Sequence, residues 1–112
     1  MSSKEMIGAS TTPIILTILL AGEDYGYEII KKVRQYSSGN LDWSEPMLYP
    51  VLHRLERNGQ IKSQWRILDN GRKRKYYSIT SEGRTLLAEK KEEWEKMIEM
   101  LAKMWNLKLD WS

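Results

Sequence analysis

A chain of 112 residues, 41% hydrophobic, is expected to form one domain with a modest core. Its 18 Lys and Arg against 15 Asp and Glu give a net charge of +3 and a pI near 9.1, a weak pull towards an anionic partner. The absence of Cys excludes disulfides and thiolate metal sites and fits the cytosol, and the longest apolar run, residues 14–21, falls short of the roughly 20 residues that span a bilayer.

Residues 1–11 read as a flexible arm, polar apart from Met6 and Ile7. The run at 14–21 resembles a signal-peptide core, with Lys4 before it and Ala21-Gly22 after. Glu5 spoils the basic start, however, and cleavage would strip the first helix. Thr12 is expected to cap that helix and Pro13 to occupy its first position, where a missing N–H is harmless. Ile15, Leu16, Ile18, Leu19 and Leu20 are apolar nearly all round, so the helix should be buried on more than one side before Gly22 ends it.

Asp24 is expected to cap a second helix reaching about Tyr36. Ile29, Ile30 and Val33 form its inner stripe, while Lys31, Lys32 and Arg34 face out. Gly26 in its first turn costs about 1 kcal/mol against Ala; close packing against a neighbouring helix would account for it. Residues 37–40, Ser-Ser-Gly-Asn, form a turn, and Leu41 and Trp43 plug the core.

The third helix starts at Ser44 or Glu45, since a Ser side chain can cap the first free N–H groups. Leu48, Val51, Leu52 and Leu55 follow at i, i+3, i+4 and i+7, one stripe of a 3.6-residue period. The opposite face carries Pro46, Tyr49, Pro50, His53 and Arg57, with Arg54 on its flank. Pro50 removes a bond near the helix start, where partners are sparse anyway, and the Leu stripe runs unbroken through it. Gly59 is a good stop.

Ile61, Ser63, Trp65 and Ile67 alternate with Lys62, Gln64 and Arg66, the period of a strand. Asp69-Asn70-Gly71 reads as the turn and Tyr76 to Ile79 as the return strand, with Arg72, Lys73, Arg74 and Lys75 together at the tip. Thr80 caps a long fourth helix to about Trp105. Leu87, Trp94 and Leu101 recur every seven residues; Met97 and Met104 supply the offset positions and Ile98 widens the seam. Lys90 interrupts the stripe once. The tail after it alternates apolar and polar and has no assignment.

The order helix, helix, helix, hairpin, helix is a mainly α fold with a small β-hairpin (α+β): a winged helix-turn-helix over 1–80 and a C-terminal dimerisation helix with its tail over 81–112. In this class the third helix enters the major groove and the wing reaches phosphate or the minor groove. Ser44, Tyr49, Pro50, His53, Arg54 and Arg57 are the candidate contacts from the helix, and Arg72, Lys73, Arg74 and Lys75 from the hairpin. The hairpin cations need only be positive, so they give affinity with little sequence information. One His offers no metal cluster, and no nucleophile–base pair or phosphate-cradling loop stands out. No enzyme and no cofactor is expected.

Leu87, Trp94, Met97, Ile98, Leu101, Met104 and Trp105 are the candidate dimer seam. The same aromatic and thioether stripe could instead form a slot in which flat compounds stack on Trp94. A winged-helix module that binds protein rather than DNA, and a soluble drug-binding protein, are the competing readings. Charge reversal in the wing tests the first, and ligand quenching of Trp emission the second.

Four stretches resemble the PadR family of bacterial transcriptional regulators: Tyr25-Gly26-Tyr27-Glu28-Ile29, Leu48-Tyr49-Pro50-x-Leu52-x-Arg54-Leu55-Glu56, Gly71-Arg72-x-Arg74-Lys75-Tyr76-Tyr77 and Ile79-Thr80-x-x-Gly83. The resemblance implies a homodimeric repressor on a pseudo-palindromic operator, joined through its last helix and released by a small molecule or stress signal. The short C-terminus looks like the compact subgroup with a single such helix. Trp94, eleven residues after Gly83, is similar to the Trp of its multidrug-responsive members. That implies a slot for planar hydrophobic or cationic ligands at the dimer centre, lined by Trp94, Met97 and Ile98 with Thr12 and Leu16 of the first helix. Two departures stand out: Lys90 narrows or charges that slot, and Pro46-Met47 replaces a Gly-Thr pair, removing a hydroxyl often available to phosphate.

Overall fold

The computed structural model describes residues 4–108. Its elements are α1 (Lys4–Leu20), β1 (Asp24–Tyr25), α2 (Gly26–Tyr36), α3 (Glu45–Arg57), β2 (Ile61–Ile67), β3 (Lys73–Ile79) and α4 (Ser81–Met104). The fold is a winged helix: four helices around a three-stranded antiparallel sheet ordered β1-β3-β2.

Two starts differ from expectation. The arm expected over residues 1–11 is helical from Lys4 on, and residues 1–3 lie outside the described residues. Thr12 and Pro13 therefore sit inside α1 rather than at its start. Packing along α4 overrides the local signal of Pro13, because tertiary contact outweighs propensity. Asp24 caps nothing. It lies in β1, opposite Tyr77 of β3, where its carboxylate accepts from the Tyr25 N–H (3.0 Å) and pairs with Lys32. That hydrogen bond raises the Lys32 ammonium above its ordinary value. α2 begins behind Tyr25 with no side-chain cap.

α3 forms as its stripe dictates. Leu48, Leu52 and Leu55 are buried, Val51 is half-buried, and Pro50 is accommodated within the helix. The Ser44 Oγ accepts from the Met47 N–H at 3.4 Å. At the far end Gly59 takes φ +75°, so the Gln60 N–H reaches the Leu55 carbonyl (2.9 Å) and the Gly59 N–H that of Glu56 (3.0 Å). This closure ends the helix and sets the direction of β2.

β2 and β3 pair from Ile61↔Ile79 to Ile67↔Lys73. β3 begins three residues before the expected Tyr76, so of the four expected tip cations only Arg72 lies in the turn. Thr80 then joins three elements: its Oγ1 donates to the Gly59 carbonyl (2.6 Å) and accepts from the Gly83 N–H (3.1 Å), and its N–H donates to the Gln60 carbonyl (3.1 Å). α4 follows. After it, Leu107 and Lys108 have no regular structure, and residues 109–112 lie outside the described residues. The core gathers Ile15, Leu16 and Leu19 of α1, Ile29 of α2, the α3 leucines, Ile61 and Tyr77. The molecule measures 57 × 30 × 25 Å.

Candidate nucleic-acid interface

The face of α3 opposite the Leu stripe points outward. Pro50, His53, Arg54 and Arg57 are exposed, and Tyr49 is half-buried. Tyr49 leans on α2: a Cβ built on Gly26 would stand 2.8 Å from its hydroxyl oxygen. The close helix packing expected at Gly26 is thus contact with this one ring. Burial, then the nearby Glu45 carboxylate, raises the Tyr49 phenol pKa. The His53 ring stands 6.5 Å from the Tyr49 ring. Across an open groove of about 510 Å³, β2 and β3 present Trp65, Lys73, Lys75 and Tyr77. Ser44 is exposed, with its hydroxyl engaged at the helix start. Arg54 donates to the Thr12 Oγ1 of α1 at 2.9 Å, so it also ties two helices together.

The four wing cations do not form one cluster. Strand alternation sends them to different places. Arg72 in the turn and Lys73 at the start of β3 are exposed. Arg74 lies over the Tyr25 ring, 3.9 Å from its centre. Lys75 pairs with Glu56 of α3 at 3.6 Å and stands 5.9 Å from the Trp65 ring centre and 5.5 Å from that of Tyr77. On the face that holds Arg74, Arg66 covers the Tyr76 ring at 4.5 Å and pairs with Glu23, while Tyr25 and Tyr76 meet edge to face at 5.5 Å. Arg66 and Glu56 were not among the expected site residues. Glu56 accepts from Ser63 of β2 and pairs with Lys75 of β3, so one carboxylate on the third helix ties it to both wing strands. The period-2 pattern of the strand was the available signal for Arg66; only tertiary structure reveals the role of Glu56.

α4 carries its apolar stripe outward. Trp94 is 40% exposed, Met97, Ile98, Met104 and Trp105 are exposed, and Leu101 is half-buried. Leu87 belongs to the chain's own core instead. Lys90 pairs with Glu93 at 3.8 Å. Of the two α1 residues expected near a ligand, Thr12 is half-buried and Leu16 is enclosed in the core, away from any surface. Among the described residues no group of three or more His, Cys, Asp or Glu side chains could hold a metal ion, and no helix is long and apolar enough to cross a membrane.

The model of the PadR-like transcriptional regulator family matches residues 15–89. A transcriptional regulator from Clostridium thermocellum, 37% identical, superposes with a TM-score of 0.80 over 89% of this chain and 97% of its own. A PadR-like transcriptional regulator from Bacillus cereus, 28% identical, superposes with a TM-score of 0.79 over 94% of this chain and all of its own (100%). An uncharacterized protein from Lysinibacillus sphaericus is 34% identical over 101 residues, 90% of this chain and 93% of its own.

Proposed function

Because the chain belongs to the PadR-like family of transcriptional regulators, a family of regulators and not of enzymes, we propose that it is a cytoplasmic homodimeric repressor of a pseudo-palindromic operator. The observation that carries this reading is the groove between α3 and the wing, which gathers Tyr49, His53, Trp65, Lys73 and Lys75 beside the exposed Arg57 and Arg72. α3 enters the major groove, where Tyr49, His53 and Arg57 reach base edges, and Ser44, Pro50 and Arg54 border the phosphates. Arg72 and Lys73 neutralise phosphate from the wing. A second copy covers the α4 stripe of Trp94, Met97, Ile98, Leu101, Met104 and Trp105 and doubles the cation count. If each protomer engages about three to five phosphates, the log–log salt slope is roughly −5 to −9.

Charge reversal tests the reading. Arg72→Glu with Lys73→Glu should abolish duplex retention on a gel while leaving the fold intact. A winged helix that only binds proteins would retain or ignore the duplex equally in both forms.

The exposure of Trp94 beside Met97 and Ile98 supports a further step, release by a planar hydrophobic or cationic compound held between protomers. Such a compound acts only if it binds the two dimer conformations unequally. Quenching of Trp emission by planar cationic drugs, lost in Trp94→Ala with the dimer intact, is the expected result. Dissociation of that variant into monomers would assign Trp94 to packing alone.

A further inference from the structure

The charged side chains lining the groove between α3 and the wing, Lys73, Arg74 and Lys75, are all cationic. Lys75 nevertheless turns its charge inward, to Glu56 near the end of α3. The two carboxylate oxygens of Glu56 have separate partners, one from each strand of the wing. Oε2 accepts from the Ser63 hydroxyl of β2, and Oε1 pairs with the Lys75 ammonium of β3 at 3.6 Å. The register sets Ser63 opposite Tyr77 and Trp65 opposite Lys75, so these four residues share one face of the sheet. The Lys75 ammonium also stands 5.9 Å from the Trp65 ring centre. Trp65, a wall of the groove, is thereby linked to α3 through Lys75 and Glu56. With side chains 26% and 33% exposed, Lys75 and Glu56 are partly shielded from the screening that weakens a surface pair.

By Coulomb attraction alone Glu56 is a liability at a surface that meets DNA. Its negative charge repels phosphate, and it occupies a cation that would otherwise be free. We propose that Glu56 is a positioning residue for sequence-selective duplex binding: through Ser63 and Lys75 it holds both strands of the wing at a fixed angle to α3, so that helix and wing meet one duplex in register. The proposal rests on the DNA-binding reading above. Lys75 then serves as a strut between Glu56 and the wing, and phosphate is left to Arg72 and Lys73. A fixed angle matters most for a chosen sequence, because base-edge contacts demand exact placement and attraction to phosphate does not. The two effects of Glu56 therefore have opposite signs and separate with the DNA used.

Glu56→Gln tests this, since it keeps an acceptor for Ser63 and removes the charge that holds Lys75. Binding is read by fluorescence polarisation over a salt series on two duplexes of equal length, one selected from a random pool by the unaltered chain and one of mixed sequence. Glu56→Gln should weaken binding of the selected duplex about tenfold and leave the mixed one bound equally or more tightly. Lys75→Gln should cause a similar loss on the selected duplex with the log–log salt slope unchanged. The double variant should lose no more than either single one, because both break the same link. Ser63→Ala, which changes no charge, should give a smaller loss on the selected duplex, and carries the comparison if Glu56→Gln melts early. Unchanged or tighter binding of the selected duplex in these variants overturns the proposal and leaves Glu56 a competitor for Lys75. Equal losses on both duplexes also overturn it, since a loss of folded protein lowers both alike. So does a slope flattened by about 0.9 in Lys75→Gln, the mark of a direct phosphate contact. If the unaltered chain retains neither duplex, the DNA-binding reading falls and this proposal with it; selective binding that ignores Glu56 removes this proposal alone.

Discussion

A methyl group is tolerated very differently at two glycines. At Gly83 a Cβ would stand 2.1 Å from the Gln60 carbonyl oxygen and 2.7 Å from the Ile79 Cγ1. The carbonyl cannot retreat, because it also accepts the Thr80 N–H. Gly83→Ala should therefore cost about 2–3 kcal/mol or more, read as a lower urea midpoint. At Gly26 the obstacle is the outer end of the Tyr49 ring, which can swing away. Gly26→Ala should change stability by about 1 kcal/mol at most and displace Tyr49 from the groove, weakening duplex binding several-fold. Tyr77 offers a third residue-level test. Burial, then the charges of Glu56 and Tyr49, push its phenol pKa from 10.0 to about 12. The unfolded chain loses this proton first, so stability is flat below pH about 10, falls between about 10 and about 12, and levels off above. The loss is about 2–3 kcal/mol. Thermal melts should show that fall in the native chain and its absence, at this position, in Tyr77→Phe.

At the scale of elements, the junction of α3, β2, β3 and α4 depends on Thr80. Thr80→Ala removes the hydroxyl that joins Gly59 to Gly83, and should cost about 1–2 kcal/mol by denaturant titration, with Thr80→Ser recovering most of it. This junction was largely legible in advance. Gly59 as a stop, Thr80 as a cap and the Leu48 to Leu55 stripe each follow from a local rule, and the structure obeys them within a residue or two. Where the expectation differed, tertiary contacts either overrode a local rule, as at Thr12, Pro13 and Asp24, or made structure that no local rule describes. β1 is two residues long, too short to show a period, and exists because β3 offers it an edge. α1 packs against α4, a partner far away in the chain. The wing cations look like one cluster when read along the chain, and become two faces and a turn once β3 is known to begin at Lys73. Stacking of Arg66 on Tyr76 and of Arg74 on Tyr25 ties β2, β3 and β1 together and is too weak to hold the fold by itself.

For the whole molecule, the proposed dimer depends on α4. Its 24 residues span about 36 Å and leave Trp94, Met97, Ile98 and Met104 uncovered, as is Trp105 just after them. If the proposed dimer forms through this stripe, Ile98→Glu should place a charge in its seam, halve the mass measured by light scattering, and lower duplex affinity by far more than the loss of one wing cation, since the second half-site is no longer tethered. Ala102 is buried near the far end of the same helix, and that helix also packs against α1. The uncovered stripe is thus one face of a helix already anchored on another. The outline of the chain bears on how that mass must be determined. A body 57 Å long and 25–30 Å across suffers more friction than a sphere of equal weight. One chain of 13.2 kDa will emerge from a sizing column ahead of compact standards and pass for something heavier. Scattered intensity, which responds to mass rather than to drag, will distinguish a lone chain from a pair.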